Sequence, residues 1–105
     1  MNTFTIDRTE AELYIIHTER LRQERLKVEG RFRYTLSDEG ASDLLRLSSV
    51  VEEIGEVSKN LLAREGLVTD GEPTLKAIHK ELSHVAALSV AWMEYLTQLM
   101  EKGIV

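Results

Sequence analysis

The chain has 105 residues, 43% of them apolar, no cysteine, and a formal net charge of −5 from 18 acidic and 13 basic residues. That length supports one domain, residues 1–105, with only a modest core in a single copy, and the missing cysteines exclude disulfide frameworks, zinc ribbons and thiol catalysis. A net negative chain without a basic block is a poor partner for nucleic acid. With no apolar run of about 18 residues and no basic-then-apolar N-terminus, the expectation is a soluble, unprocessed, cytoplasmic protein that does not enter a membrane.

In chain order, a first helix is predicted from near Thr9, which stands in capping-box spacing with Glu12. It continues through Leu13, Ile16 and Leu21 at helical intervals to a stop at Gly30. "RFRYTLSDEGAS" carries aromatic residues and turn formers without periodicity, so a loop of about ten residues follows; loops of that length in compact domains are often functional. A second helix starts near Ser42 and stops at Gly66. "LVTDGEPT" makes the next connection, Pro73 opens the third helix, and Gly103 lies just past its end near Met100. There is no repeat, no low-complexity segment and no strand-like alternation. The fold class is all-α with three main helices.

Helical geometry separates two kinds of surface. On the second helix Leu44, Leu47, Val51, Ile54, Ser58 and Leu61 form one stripe, while Glu52 and Glu56 share the opposite face and Glu53 lies three residues from Glu56. On the third, Ile78, Leu82, Val85, Ser89, Trp92, Met93, Leu96 and Met100 mark a packing stripe. Glu81 falls on its flank, in the sector of Leu88, Trp92 and Leu99, with His84 next to Leu88 and Tyr95. "EEIGE" by itself reads as a solvated face. A carboxylate held against apolar neighbours is different: it must be neutralised, paired or bound to a cation. Acids presented by two helices make an oxygen-rich site of the kind Mg²⁺ or Mn²⁺ takes, usually with a phosphorylated substrate. The long stripe of the third helix exceeds what one chain can cover, so two copies are expected to complete a four-helix-bundle-like core, as a homodimer or a homotetramer of two dimers.

"EEIGE" and "ELSH", with 24 residues between Glu56 and Glu81, resemble the two-part signature of the MazG-like all-α nucleoside triphosphate pyrophosphohydrolases. There an E-E-x-x-E helix and an E-x-x-D helix jointly hold magnesium. "ERLRQER", "EEIGEVSK" and "KELSHVAALSVAWMEYL" are similar to small MazG-like proteins of bacteria and phages, and the likeness runs from about Thr18 to Leu96. It implies hydrolysis of a (deoxy)nucleoside triphosphate to the monophosphate and pyrophosphate. Glu53, Glu56 and Glu81 would hold Mg²⁺, with Mn²⁺ the alternative, and Glu52 would be a ligand or the base that orients water. The family's aspartate is replaced here by His84. Imidazole suits Mn²⁺, Fe or Zn better than Mg²⁺, so the departure implies a changed metal preference, a proton donor, or lost catalysis.

Lys59 and Lys80, with Arg64 and Lys76 nearby, are candidates to meet phosphates, although such residues on helices ordinarily solubilise. Phe32 and Tyr34 are candidates to stack on a base. Trp92, Met93 and Met100 read as packing residues, and His17 and His79, with no acidic partner at a diagnostic spacing, as structural ones. Glu81-x-x-His84 also matches the motif that di-iron carboxylate bundles combine with further glutamates, so a ferritin-like iron-binding oligomer is the second reading. A catalytically degenerate MazG-like oligomer is the third.

Overall fold

A computed structural model describes residues 3–105, with side chains described from Asp7 onward. It contains α1 (Thr3–Val28), α2 (Asp43–Arg64) and α3 (Leu75–Glu101), with no strand among the described residues. α3 is the central element: among the described residues α1 and α2 each pack on it and not on each other. Ala87 and Ala91 are wholly buried on α3, and their small side chains let the neighbouring segments approach closely.

The helix ends follow local chemistry. Ser42 caps α2, its hydroxyl accepting from the Leu45 N–H at 3.1 Å, and Thr74 caps α3 by accepting from the Ala77 N–H at 3.1 Å. Gly66, with φ of +77°, supplies the left-handed turn beyond α2. Two expectations are corrected. α1 already includes Thr3, which puts Thr9 inside the helix and not at its cap. Pro73 precedes the N-cap Thr74 and lies outside α3.

The loop between α1 and α2 is held like a structural element. Lys27 donates to Asp38 Oδ1 at 2.9 Å, Asp38 Oδ2 accepts from the Thr35 N–H at 2.8 Å, and the Thr35 hydroxyl donates to Glu24 at 2.7 Å. Arg46, 1% exposed, donates through Nε to the Leu36 carbonyl at 2.9 Å and through Nη2 to that of Asp38. Its guanidinium lies 3.6 Å from the centroid of the Tyr95 ring. A buried Arg is tolerated because its donors are satisfied and its flat face stacks. Beneath the loop lies the main apolar cluster, Leu36, Ala41 and Ala91, flanked by Tyr34, Leu45 and Leu88.

The stripes predicted for packing are largely uncovered in the single chain. Leu44 is 74% exposed and Met93 62%, and Leu47, Val51, Ile54, Leu82, Leu96 and Met100 are exposed as well. The surface of the chain, 7620 Å², exceeds the roughly 6,000 Å² expected of a compact monomer of this mass. Its radius of gyration, 16.0 Å, likewise exceeds the roughly 13 Å expected for this length.

Candidate metal centre and adjoining pocket

α2 and α3 bring three of the predicted site residues together. His84 Nδ1 lies 3.5 Å from Glu81 Oε2, one turn earlier on α3, and 3.7 Å from Glu53 Oε2 on α2. All three side chains are partly buried, and one donor atom from each falls within 4.8 Å of the others. The spacing Glu81-x-x-His84 produces half of this geometry by itself, because residues three apart on a helix are neighbours. Contact between α2 and α3 brings in Glu53.

The electrostatics are those of a site short of positive charge. Glu53 Oε2 is buried and has no hydrogen-bond partner. The Glu53 pKa is raised above its ordinary value, first by burial, then by the Glu81 carboxyl against it and the charge of Glu56; His84 acts in the opposite direction. Orphaned buried carboxylate oxygens are rare in folded proteins. Two carboxylates and an imidazole form a donor set for a divalent cation, and the imidazole favours Mn²⁺, Fe²⁺ or Zn²⁺ over Mg²⁺. The residues therefore fit a metal.

The other predicted residues take different positions. Glu56 is exposed and paired with Lys59, whose Nζ lies 3.2 Å from its Oε2, outside the three-residue group. Glu52 is exposed and forms no ion pair among the described residues. Lys59 and Lys80 line one shallow cleft with Glu56 and Glu81. Arg64 donates to the Pro73 carbonyl at 2.9 Å, which ties down the α2–α3 connection. His79 pairs with Glu12 on α1 at 2.7 Å; their separation of 67 positions in the chain hid the pair from the sequence.

Beside the cluster is a pocket of about 260 Å³, walled by Phe32, Tyr34, Thr35 and Leu36 from the loop, Glu19, Arg22 and Gln23 from α1, and Glu53 and His84 from the cluster itself. Phe32 and Tyr34, named from sequence as stacking candidates, thus stand next to the candidate metal ligands. Gln23 is buried, and its Oε1 accepts from Arg20 Nη1 at 2.9 Å.

Sequence reasoning missed α1's contribution. Arg22 forks onto Glu19, Nε to Oε2 at 2.8 Å and Nη2 to Oε1 at 2.7 Å. Burial, the largest influence on Glu19, pushes its pKa up, but the Arg22 hydrogen bonds and charge, with His84 and Lys80, outweigh it and the pKa is lowered. Glu19-x-x-Arg22 spacing was the available signal, yet such pairs are common on exposed helices.

No helix among the described residues is long and apolar enough to cross a membrane. Compared with known proteins, the chain matches no family model, no curated protein and no solved structure.

Proposed function

We propose that this chain is a divalent-cation-dependent nucleoside triphosphate pyrophosphohydrolase of the MazG-like all-α type, yielding a nucleoside monophosphate and pyrophosphate. The observation that carries the reading is the meeting of Glu53, Glu81 and His84 around a buried, unpartnered carboxylate oxygen, with Glu53 and His84 lining a pocket that Phe32 and Tyr34 also line. Glu53, Glu81 and His84 would hold the cation, with Glu56 one turn along α2 as a further carboxylate. The chemistry a divalent cation would supply there is polarisation of phosphoryl oxygens and a lowered pKa of the attacking water.

The chain's own groups supply the remaining functions. Lys59 and Lys80, along the cleft shared with Glu56 and Glu81, offset phosphate charge as the Lys59–Glu56 pair opens. That pair is exposed and therefore weak, so opening it costs little. Phe32 and Tyr34 receive the flat base, and Glu52 or Glu56 orients water. The uncovered apolar faces of α2 and α3 pack against a second copy, and the roughly 1,600 Å² of excess surface per chain is ample for a stable interface.

The test is a panel of nucleoside and deoxynucleoside triphosphates with Mg²⁺ or Mn²⁺, read by pyrophosphate release. Turnover abolished by Glu53→Gln, with helical content retained, supports the proposal. Absence of turnover across the panel contradicts it.

Glu81 and His84 adjoining Glu53 also favour one second reading, a carboxylate–histidine iron site in a helical oligomer. Oxidation of Fe²⁺ without nucleotide turnover selects that reading over the first.

A further inference from the structure

We infer that Gln23 of α1 is a specificity-determining residue of the pocket, selecting nucleotides whose base carries a carbonyl, and not an amino group, at the ring position opposite the glycosidic bond. The inference rests on the proposed function and names the class of base within it. Gln23 is 6% exposed, and its Oε1 accepts from Arg20 Nη1 at 2.9 Å. Arg20 is itself buried and held by Glu94, Nε to Oε2 at 2.8 Å, and by Glu24, whose Oε2 lies 3.0 Å from Nη1. A guanidinium only donates, so the oxygen of the Gln23 amide must face it and the amide NH₂ must face away. Among the described residues that NH₂ has no hydrogen-bond partner, yet it is not fully enclosed. The space that Gln23 borders is the pocket of about 260 Å³, which Arg20 does not line. An almost wholly buried amide thus turns two unspent donors, and no acceptor, toward that pocket.

The rest of the pocket sets how a base meets those donors. Its volume lies just below the roughly 300–1,000 Å³ of ordinary small-molecule sites, so it takes a base and not a whole nucleotide. Glu53 and His84 mark the side where the phosphates belong, and the glycosidic bond points that way. The ring position opposite that bond, C4 of a pyrimidine or C6 of a purine, then reaches furthest from them. An oxygen there accepts from the Gln23 amide, whereas an amino group sets donor against donor and leaves both unpaired. A site built around a hydrogen bond rejects an analogue that cannot make it, because the buried group loses its partner. Other groups along this wall offer an amino group little. Glu19 has both oxygens engaged by the Arg22 fork, and the Thr35 hydroxyl gives its proton to Glu24.

The test titrates the full chain, labelled with ¹⁵N, with 2′-deoxyuridine and with 2′-deoxycytidine. These neutral nucleosides differ at the C4 edge and carry no phosphate, so no cation enters the measurement. The wild type is expected to bind deoxyuridine roughly 10- to 100-fold more tightly, with a saturable downfield shift of the Gln23 side-chain NH₂ protons. Gln23→Glu keeps an acceptor for Arg20 but has no N–H to donate, and it is expected to reverse the preference. Gln23→Met, of similar volume, is expected to abolish it. Equal affinity of the wild type for the two nucleosides, tighter binding of deoxycytidine, or no binding of either overturns the inference, as does an unchanged preference in Gln23→Glu. The wild-type comparison decides the matter even if a variant fails to fold. A preference for deoxyuridine in a protein that releases no pyrophosphate from any triphosphate leaves the role of Gln23 standing and removes the hydrolase reading. Pyrophosphate release without a base preference removes the role of Gln23 alone.

Discussion

Nδ1 of His84 and Oε2 of Glu53 lie 3.7 Å apart across the α2–α3 contact, and that oxygen has no hydrogen-bond partner. The Glu53 carboxyl, raised in pKa by burial and by Glu81, favours the folded state most when protonated. Its contribution is therefore fully present below the unfolded value of about 4.3 and is lost as pH rises through the folded one. A divalent cation reverses this by requiring the ionised form. Added Mn²⁺ should raise the melting temperature more at pH 7.5 than at pH 5. At a hundredfold excess over its Kd the gain at pH 7.5 is about 2.7 kcal/mol, or ten degrees or so for a domain of this size. Glu53→Gln should remove most of the gain; scanning calorimetry at the two pH values checks both points.

Replacing the imidazole should change the metal ranking. With His84 the site should bind Mn²⁺ more tightly than Mg²⁺, because imidazole is a poor ligand for Mg²⁺. His84→Asp should narrow or invert that order and raise Mg²⁺-dependent turnover severalfold. Competition titration and pyrophosphate release measure the two effects. An unchanged ranking would place His84 outside the coordination sphere.

The pocket's loop wall should be sensitive to acid. Burial acts to raise the pKa of Asp38, but the Lys27 hydrogen bond, the Thr35 N–H and the charges of Lys27 and Arg20 outweigh it, and the pKa is lowered. Glu24 is lowered in the same way, with the Thr35 hydroxyl and Arg20 outweighing burial. A lowered carboxylate stabilises the fold above its unfolded pKa, about 4 for these groups, and the contribution is lost as pH falls through the folded value. Asp38→Asn should lower stability at pH 7 by about 1–2 kcal/mol and flatten the acid limb of a melting-temperature profile. Fluorescence of Tyr34 and hydrogen exchange at Thr35 should report loosening of the same segment.

The uncovered stripes should be an interface between copies. Leu44→Glu or Met93→Glu places a charge in the exposed apolar stripes, and a dimer formed through them should dissociate at micromolar concentration. Light scattering coupled to size exclusion gives the mass directly. A wild type that is monomeric at all concentrations would remove the oligomer from the proposal.

The all-α architecture and most helix ends were legible because their signals are local: a helix start near Ser42, Gly66 as a stop, and apolar residues at helical intervals. The start of α1 was misplaced because Thr9 and Glu12 have capping-box spacing while the helix runs through them. "EEIGE" supplied three candidate acids, but only the α2–α3 contact distinguishes the partly buried Glu53 from the exposed Glu52 and Glu56. Glu81 and His84 were found from their spacing within one helix. Glu19, Arg22 and Gln23 were not, since their approach to the site depends on how α1 lies against α3, which no local pattern encodes.

Calorimetric titration of the metal-free full chain with Mn²⁺ at pH 7.5 tests the central claim most directly. The expected result is saturable binding near one ion per chain, weakened at least tenfold by each of Glu53→Gln, Glu81→Gln and His84→Ala, and unchanged by the distant Glu65→Gln. Saturable heat that is absent from the wild type, or equal in all four variants, would contradict the assignment of Glu53, Glu81 and His84 as a metal centre.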